Sequence, residues 1–128
     1  MRIRLLALLA APLLTVGCSK DKSDPAPSSG PKDYQVKYEV TATKYTVANI
    51  IYRDQTGTQV TEVSVPLPKT YTFTRNMKAA DIVSLGAFPP GGDASMSVTA
   101  TISLDGNVVS TVSGVGPAPQ TVASYIIP

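Results

Sequence analysis

The chain has 128 residues, with 11 basic and nine acidic side chains, one cysteine, and neither histidine nor tryptophan. Without histidine it cannot build a Ser–His–Asp or Cys–His catalytic unit, nor a histidine-ligated zinc, iron or copper site. With one cysteine it cannot form an internal disulfide, and its nearly balanced charge provides no basic stripe of the kind that binds nucleic acid.

The first 17 residues have the three parts of a secretory signal peptide. Arg2 and Arg4 form a basic start. An apolar run of about a dozen residues follows, which is too short for a membrane span of roughly 20 residues. Gly17 and Cys18 come next. The pattern predicts a signal peptide over residues 1–17, cleavage between Gly17 and Cys18, and lipidation of the Cys18 thiol. The alternative is an ordinary secretory signal with an incidental cysteine.

The residues up to the cysteine resemble the bacterial lipobox, with Thr15 where that box usually has leucine. The resemblance implies a diacylglyceryl group on the Cys18 sulfur and an acyl chain on its freed amino group, and no other cofactor is expected. Ser19 favours the outer membrane over the inner one as the site of attachment. Residues 20–24 are also similar to the export tags of Bacteroidetes surface lipoproteins, and both a periplasmic and a surface-facing position stay open.

Residues 18–33 are predicted to be a disordered tether. After Cys18 they contain proline, serine, glycine, alanine and charged residues but no large apolar side chain. At about 5–6 Å × √n, such a tether reaches on the order of 20 Å. Loss of Arg2 and Arg4 with the signal peptide leaves nine basic against nine acidic side chains, so the mature chain is formally neutral.

From Tyr34 onward, apolar residues recur with a period of two, which is typical of half-buried β-strands. The clearest runs are residues 34–43 and 96–104, and residues 45–52 form a further strand. The predicted inward side chains are Tyr34, Val36, Tyr38, Val40, Ala42, Ala48, Ile50, Tyr52, Met96, Val98, Ala100, Ile102 and Leu104.

Turn and loop signals separate these runs. Asp54 to Gly57 and Asp105-Gly106 predict tight turns. Residues 89–93 and 114–119 predict loops rich in proline and glycine. Seven or eight short strands and no helix predict an all-β fold, a single immunoglobulin-like antiparallel β-sandwich over residues 34–128.

No catalytic or metal site is predicted. The carboxylates are dispersed over the tether, the turns and the loops, and Glu39 and Glu62 are predicted on polar strand faces. A calcium site at Asp93 would need several more oxygen ligands nearby. The loops that contain Asp93 and Gly116 are instead candidate partner-facing surfaces. The six tyrosines are an alternative binding face, although aromatic residues at strand spacing more often pack in the core.

Four stretches of the domain carry a family resemblance: residues 36–41, 48–52, 63–72 and 102–109. In order and spacing they resemble the soluble domain of the mycobacterial MmpS-type membrane proteins, and small Bacteroidetes lipoproteins that share the pattern. The resemblance implies a β-sandwich that assists an RND-family exporter. The chain differs from that family at residues 65–69, where Val-Pro-Leu-Pro-Lys replaces Leu-Pro-Trp-Ser-Lys.

Three functions follow as hypotheses. The first is a non-enzymatic binding or structural module, attached to the membrane through lipid and facing a protein partner in the cell envelope. The second is an accessory subunit of an RND-type exporter, which the MmpS resemblance implies. The third is a small-ligand binding protein. A nucleic-acid partner is not expected.

Overall fold

The computed structural model describes residues 30–128, which fold into eight β-strands. The strands are β1 (Lys32–Thr43), β2 (Val47–Arg53), β3 (Gln59–Pro66), β4 (Lys69–Met77), β5 (Ile82–Phe88), β6 (Ser97–Leu104), β7 (Asn107–Val115) and β8 (Thr121–Ile126). Among these residues no helix has the length and apolar character needed to cross a membrane.

The strands form two four-stranded antiparallel sheets packed against each other. The first sheet has the order β4-β1-β6-β7 and the second the order β3-β2-β5-β8. The predicted all-β antiparallel sandwich is therefore confirmed. Two packed antiparallel sheets are the architecture of immunoglobulin-like domains, many of which differ from one another in the order of their connections.

One continuous core lies between the sheets. Alternation places Val36, Tyr38 and Val40 of β1 inward, and Val98, Ala100 and Ile102 of β6 beside them, as predicted. The second sheet contributes, with others, Ala48, Ile50, Val83, Leu85, Ala87 and Ala123. Because the described residues contain no cysteine, this packing and the strand hydrogen bonds hold the domain together.

Several strand boundaries differ from the prediction. β2 spans Val47–Arg53 rather than residues 45–52, so Tyr45 lies in the connection before it. β1 begins at Lys32 rather than Tyr34, because Asp33 pairs with Asn76 of β4 and accepts a 2.8 Å hydrogen bond from its side-chain amide. Residues 32–33 of the predicted tether thus belong to the sheet. β7 continues past Gly114, which pairs with Val98. A Cβ at Gly114 would lie 2.5 Å from the Thr121 hydroxyl, so the absent side chain permits close packing.

Short connections send consecutive strands in alternating directions, so the sandwich has two distinct ends. We call the end where β1 begins the proximal end. It carries the turns at residues 54–58, 78–81 and 105–106, and Ile127, whose amide donates to the Asp81 carbonyl. The distal end carries the connections at residues 44–46, 67–68, 89–96 and 116–120. The two ends are separated by the length of β1, roughly 40 Å at about 3.3 Å per residue.

Replacing Thr121 with valine is expected to stabilise the domain. Thr121 is fully buried in β8, and its hydroxyl has no hydrogen-bond partner among residues 30–128. Valine has nearly the same shape and removes that unpaired group, so the free energy of unfolding should rise by about 1 kcal/mol. Urea unfolding measures it, with Thr72→Val on an exposed strand face as the control, expected within about 0.5 kcal/mol. A loss of stability in Thr121→Val would mean that the hydroxyl is bonded.

Candidate functional site

The structure describes the two predicted loops, whereas the predicted anchor lies outside the described residues. Gly17 and Cys18 lie outside the described residues, so cleavage and lipidation there stay predictions. Asp93 and Gly116 lie at the distal end, in the β5–β6 and β7–β8 connections. The two loops are 23 positions apart in sequence, yet the structure brings them together.

Direct hydrogen bonds join the two loops into one surface. The Ala118 amide donates to the Gly91 carbonyl at 2.6 Å, and the Gly116 amide donates to the Met96 carbonyl at 2.9 Å. We call residues 89–96 and 116–120 together the distal loop surface. Because each loop supplies a donor or an acceptor to the other, neither can move far without breaking these contacts.

Tyr45, from the β1–β2 connection, lies under this junction. Its hydroxyl is 2.8 Å from the Gly91 carbonyl oxygen and 2.7 Å from that of Gly116. The ring is almost completely buried. Gly92 has a φ of +99°, and a Cβ there would collide with the Tyr45 hydroxyl, so glycine is required by both backbone and space. Tyr45 is therefore the residue that fixes the two loops to the sandwich.

Replacing Tyr45 with phenylalanine should loosen the distal loop surface. The ring would still fill its site, but two carbonyl oxygens would lose their shared donor. We expect a loss of about 1–2 kcal/mol in unfolding free energy and faster amide hydrogen exchange at Gly116 and Ala118. Tyr34→Phe, at the proximal end, is the control and should leave exchange in both loops unchanged. Unaltered exchange in Tyr45→Phe would show that the loops hold their conformation without the hydroxyl.

Asp93 organises its own loop. Its carboxylate accepts hydrogen bonds from the Ser95 hydroxyl and, at 2.8 Å, from the Ser95 amide. The Ser95 hydroxyl bond is the main reason why the pKa of Asp93 lies below its usual value. Lys44 donates to the same hydroxyl at 2.7 Å. Within residues 30–128 no group of three or more acidic, histidine or cysteine side chains is placed to hold a metal ion.

The turn carboxylates have structural partners of the same kind. Asp54 accepts hydrogen bonds from the Thr56 hydroxyl at 2.6 Å and from the Thr56 and Thr58 amides. The Thr56 hydroxyl is the leading cause of the lowered pKa of Asp54. The Gln35 amide donates to Asp105 at 2.9 Å and is the main cause of its lowered pKa, with Lys32 adding an ion pair at 3.3 Å. These carboxylates close turns and stabilise the proximal end.

One cluster was not foreseen from the sequence. Glu62 does not project from a polar strand face. It pairs with the inward residue Ile50, and its two carboxylate oxygens accept hydrogen bonds from Tyr71 at 2.8 Å and Tyr52 at 3.2 Å. Tyr52 and Tyr71 come from different sheets, with ring centroids 4.4 Å apart, and Lys69 lies over the Tyr71 ring at 5.2 Å. The cluster ties the two sheets together at the edge formed by β3 and β4.

The tyrosines divide between core and edge. Tyr38 is fully buried and contacts Tyr52 and Phe73 edge to face, with centroids 6.0 Å and 5.4 Å away. Burial raises the pKa of the Tyr38 phenol to about 12. Burial and the Glu62 carboxylate raise the pKa values of Tyr52 and Tyr71 as well. Four aromatic rings thus form one packed group rather than an open binding face.

Apolar side chains are exposed on both sheets. The first sheet exposes mainly polar and charged side chains on β1, β4 and β6, but Val108 and Val115 are exposed on its edge strand β7. On the second sheet, Ile82, Val122 and Ile126 are exposed on the outward side of β5 and β8. A shallow groove of about 230 Å³ beside them is lined by Ile51, Gln59, Ser84, Gly86, Phe88 and Val122. In the sequence, Val122, Ser124 and Ile126 are spaced two residues apart, which places them on one face of a strand.

A scan against models of protein families finds no match to the chain, and a search of curated proteins finds none either.

Proposed function

We propose that the protein is a non-enzymatic lipoprotein of the bacterial cell envelope, anchored by lipid on Cys18, whose sandwich binds a protein partner through the distal loop surface. The observation that carries the proposal is the meeting of the two predicted loops, around Asp93 and Gly116, at the end opposite β1 Lys32. A chain held at its N-terminal side by a membrane would present this end outward.

The distal loop surface is suited to binding because its conformation is already fixed. Tyr45 holds both loops, four prolines restrict their backbone, and Ala118 sits at a φ of +46° between two of them. A rigid surface loses little conformational entropy on association, so more of the contact energy remains as affinity. Catalysis receives no comparable support, since the carboxylates described above are engaged in closing turns or joining the sheets.

The loop composition indicates the partner's chemistry. Lys44 and Asp93 are the only charged residues in the distal connections. A nearly neutral surface of proline, glycine, alanine and serine provides no strong field for nucleic acid or another highly charged ligand. A protein surface of mixed polarity fits it better.

The anchor is tested with Cys18→Ala. This variant should leave the membrane fraction and lose incorporation of labelled fatty acid, because it lacks the thiol that accepts the lipid. Ser19→Ala, one position later, is the matched control and should remain membrane-bound. Retention of Cys18→Ala in carbonate-washed membranes would overturn the lipid anchor.

The binding surface is tested with a photo-crosslinking amino acid in intact cells. Ala94 in the distal loop surface and Gln55 in the proximal turn are both exposed, and neither closes its turn through its side chain. We expect one discrete adduct from position 94 and none from position 55. Adducts from position 55 alone would place binding at the proximal end. An RND-type exporter subunit captured at position 94 would establish the accessory-subunit function that the MmpS resemblance implies.

A further inference from the structure

We propose that the β8 edge of the second sheet pairs with β8 of a second copy of this chain, in antiparallel orientation about a two-fold axis at Ser124. The inference goes beyond the proposed function and depends neither on the anchor nor on the distal loop surface. The pairing would join the second sheets of two copies, each of four strands, into one sheet of eight strands.

The edge of β8 is open and uncharged. Within the part of the chain that the structure describes, β8 pairs with β5 on one side and has no strand on the other. Residues 106–128 contain no Asp, Glu, Lys or Arg. Proteins usually protect exposed strand edges with charges or proline. The edge strands on the other side of the two sheets contain charged residues, for example Glu62 in β3 and Lys69 in β4.

The sequence of β8 is complementary to itself. Its outward side chains are Val122, Ser124 and Ile126, all exposed. In an antiparallel pair centred on Ser124, Val122 lies opposite Ile126 of the second copy, and the two Ser124 side chains face each other. Residues directly opposite on one face of an antiparallel pair are in contact. A two-fold axis, with the same surface on both copies, is the commonest symmetry of protein dimers.

The same pairing would cover the exposed apolar face described above. Across β5 and β8, Ile82 is opposite Ile126, and Gly86 is opposite Val122. The Phe88 ring lies over Gly86, where a Cβ would come within 2.8 Å of it. Joining two copies therefore aligns Ile82 and Ile126 of one copy with Val122 and the Phe88 ring of the other, in one continuous apolar row. A partner strand with charged side chains would place those charges against this apolar row, where the charged groups would lose their hydration.

The available area indicates a weak, concentration-dependent dimer. About the Ser124 axis, residues 122–126 of one copy pair with the same five residues of the other, a contact about 17 Å long, while a stable interface buries about 800 Å² on each partner. The interface thus falls toward the small end of specific association.

Disulfide capture tests the axis directly. Full-length Ser124→Cys, oxidised in its own membrane, should give a covalent dimer, since opposed strand residues lie within disulfide range. Thr61→Cys, on the outer face of the other edge strand of the same sheet, is the matched control. The wild-type chain is the control for any disulfide that forms through Cys18. We expect a Ser124→Cys dimer at least tenfold more abundant than in either control.

A charge variant tests the same contact without a covalent bond. Ser124→Lys places two ammonium groups against each other at the axis, whereas Thr61→Lys does not. We expect Ser124→Lys to weaken association of the detergent-solubilised full chain at least tenfold in sedimentation equilibrium, with Thr61→Lys unchanged. Equal capture at positions 124 and 61, a mixed disulfide of Ser124→Cys with another protein, or a monomeric wild-type chain at all concentrations would overturn the proposal.

Discussion

Replacing Ile102 with alanine is expected to lower the free energy of unfolding by about 2–5 kcal/mol, the usual cost of truncating a fully buried isoleucine. Ile102 is on β6, with no exposed surface, directly opposite Tyr38 of β1. Both strands are interior strands of the first sheet, so the surrounding backbone has little freedom to collapse into the cavity. A domain of this size is typically stable by only about 5–15 kcal/mol, so the variant should lose a large part of its stability.

The neighbouring residue provides the control for that prediction. Thr101 points to the outer face of the same strand, so Thr101→Ala should change the unfolding free energy by no more than about 1 kcal/mol, the span of strand propensities. Chemical denaturation of both variants measures the difference. Similar effects for the two substitutions would mean that β6 does not alternate between core and surface as the structure shows.

Where alternation is regular, the sequence was enough to predict the structure. In β1 and β6 no bulge interrupts residues 36–43 and 97–102, so period two alone identifies the buried face. The Asp105-Gly106 turn was also predictable, because both residues adopt positive φ, at 50° and 83°, as a tight two-residue hairpin requires. Each of these features is decided by residues close together in the sequence.

Glu62 shows why other features were not predictable. Val65 and Glu62 both face inward although they are three positions apart, because the register between β2 and β3 shifts between Ala48 and Ile50. Ser64, within the irregular segment, has a φ of 54°. One extra residue in β3 reverses the alternation, so counting along the strand in steps of two predicted the wrong face for Glu62. The same reversal leaves the Val63 side chain exposed.

The meeting of the two distal loops depends on contacts distant in sequence. Tyr45 reaches the Gly116 carbonyl across 71 positions, and no local pattern predicts such a pairing. The sequence identified each loop by its proline and glycine content, which specifies a break between strands. The loops share one surface because they flank the β6–β7 hairpin, in which Ser97 pairs with Val115, and because β5 and β8 are neighbours in the second sheet.

The Glu62 cluster and Tyr38 together make the domain sensitive to alkali. A phenol whose folded-state pKa lies above its unfolded value of about 10 contributes its full stabilisation below pH 10 and loses it as pH rises through the folded-state pKa. As pH rises above 10, the unfolded chain releases the proton first. The free energy of unfolding then falls until pH passes the folded-state pKa.

For Tyr38, with its pKa raised to about 12, the stability lost as pH rises from below 10 to above 12 amounts to about 3 kcal/mol in all, at about 1.36 kcal/mol per unit. Tyr52 and Tyr71 act in the same direction. Tyr38→Phe removes the Tyr38 part of this dependence, and it also removes the 2.9 Å hydrogen bond to the Arg53 carbonyl, which costs about 1 kcal/mol near neutral pH. Urea unfolding at pH 8 to 12 should therefore show the variant less stable than wild type at pH 8 and losing stability more slowly above pH 10. Parallel curves would mean that the Tyr38 phenol ionises as readily in the folded domain as in the unfolded chain.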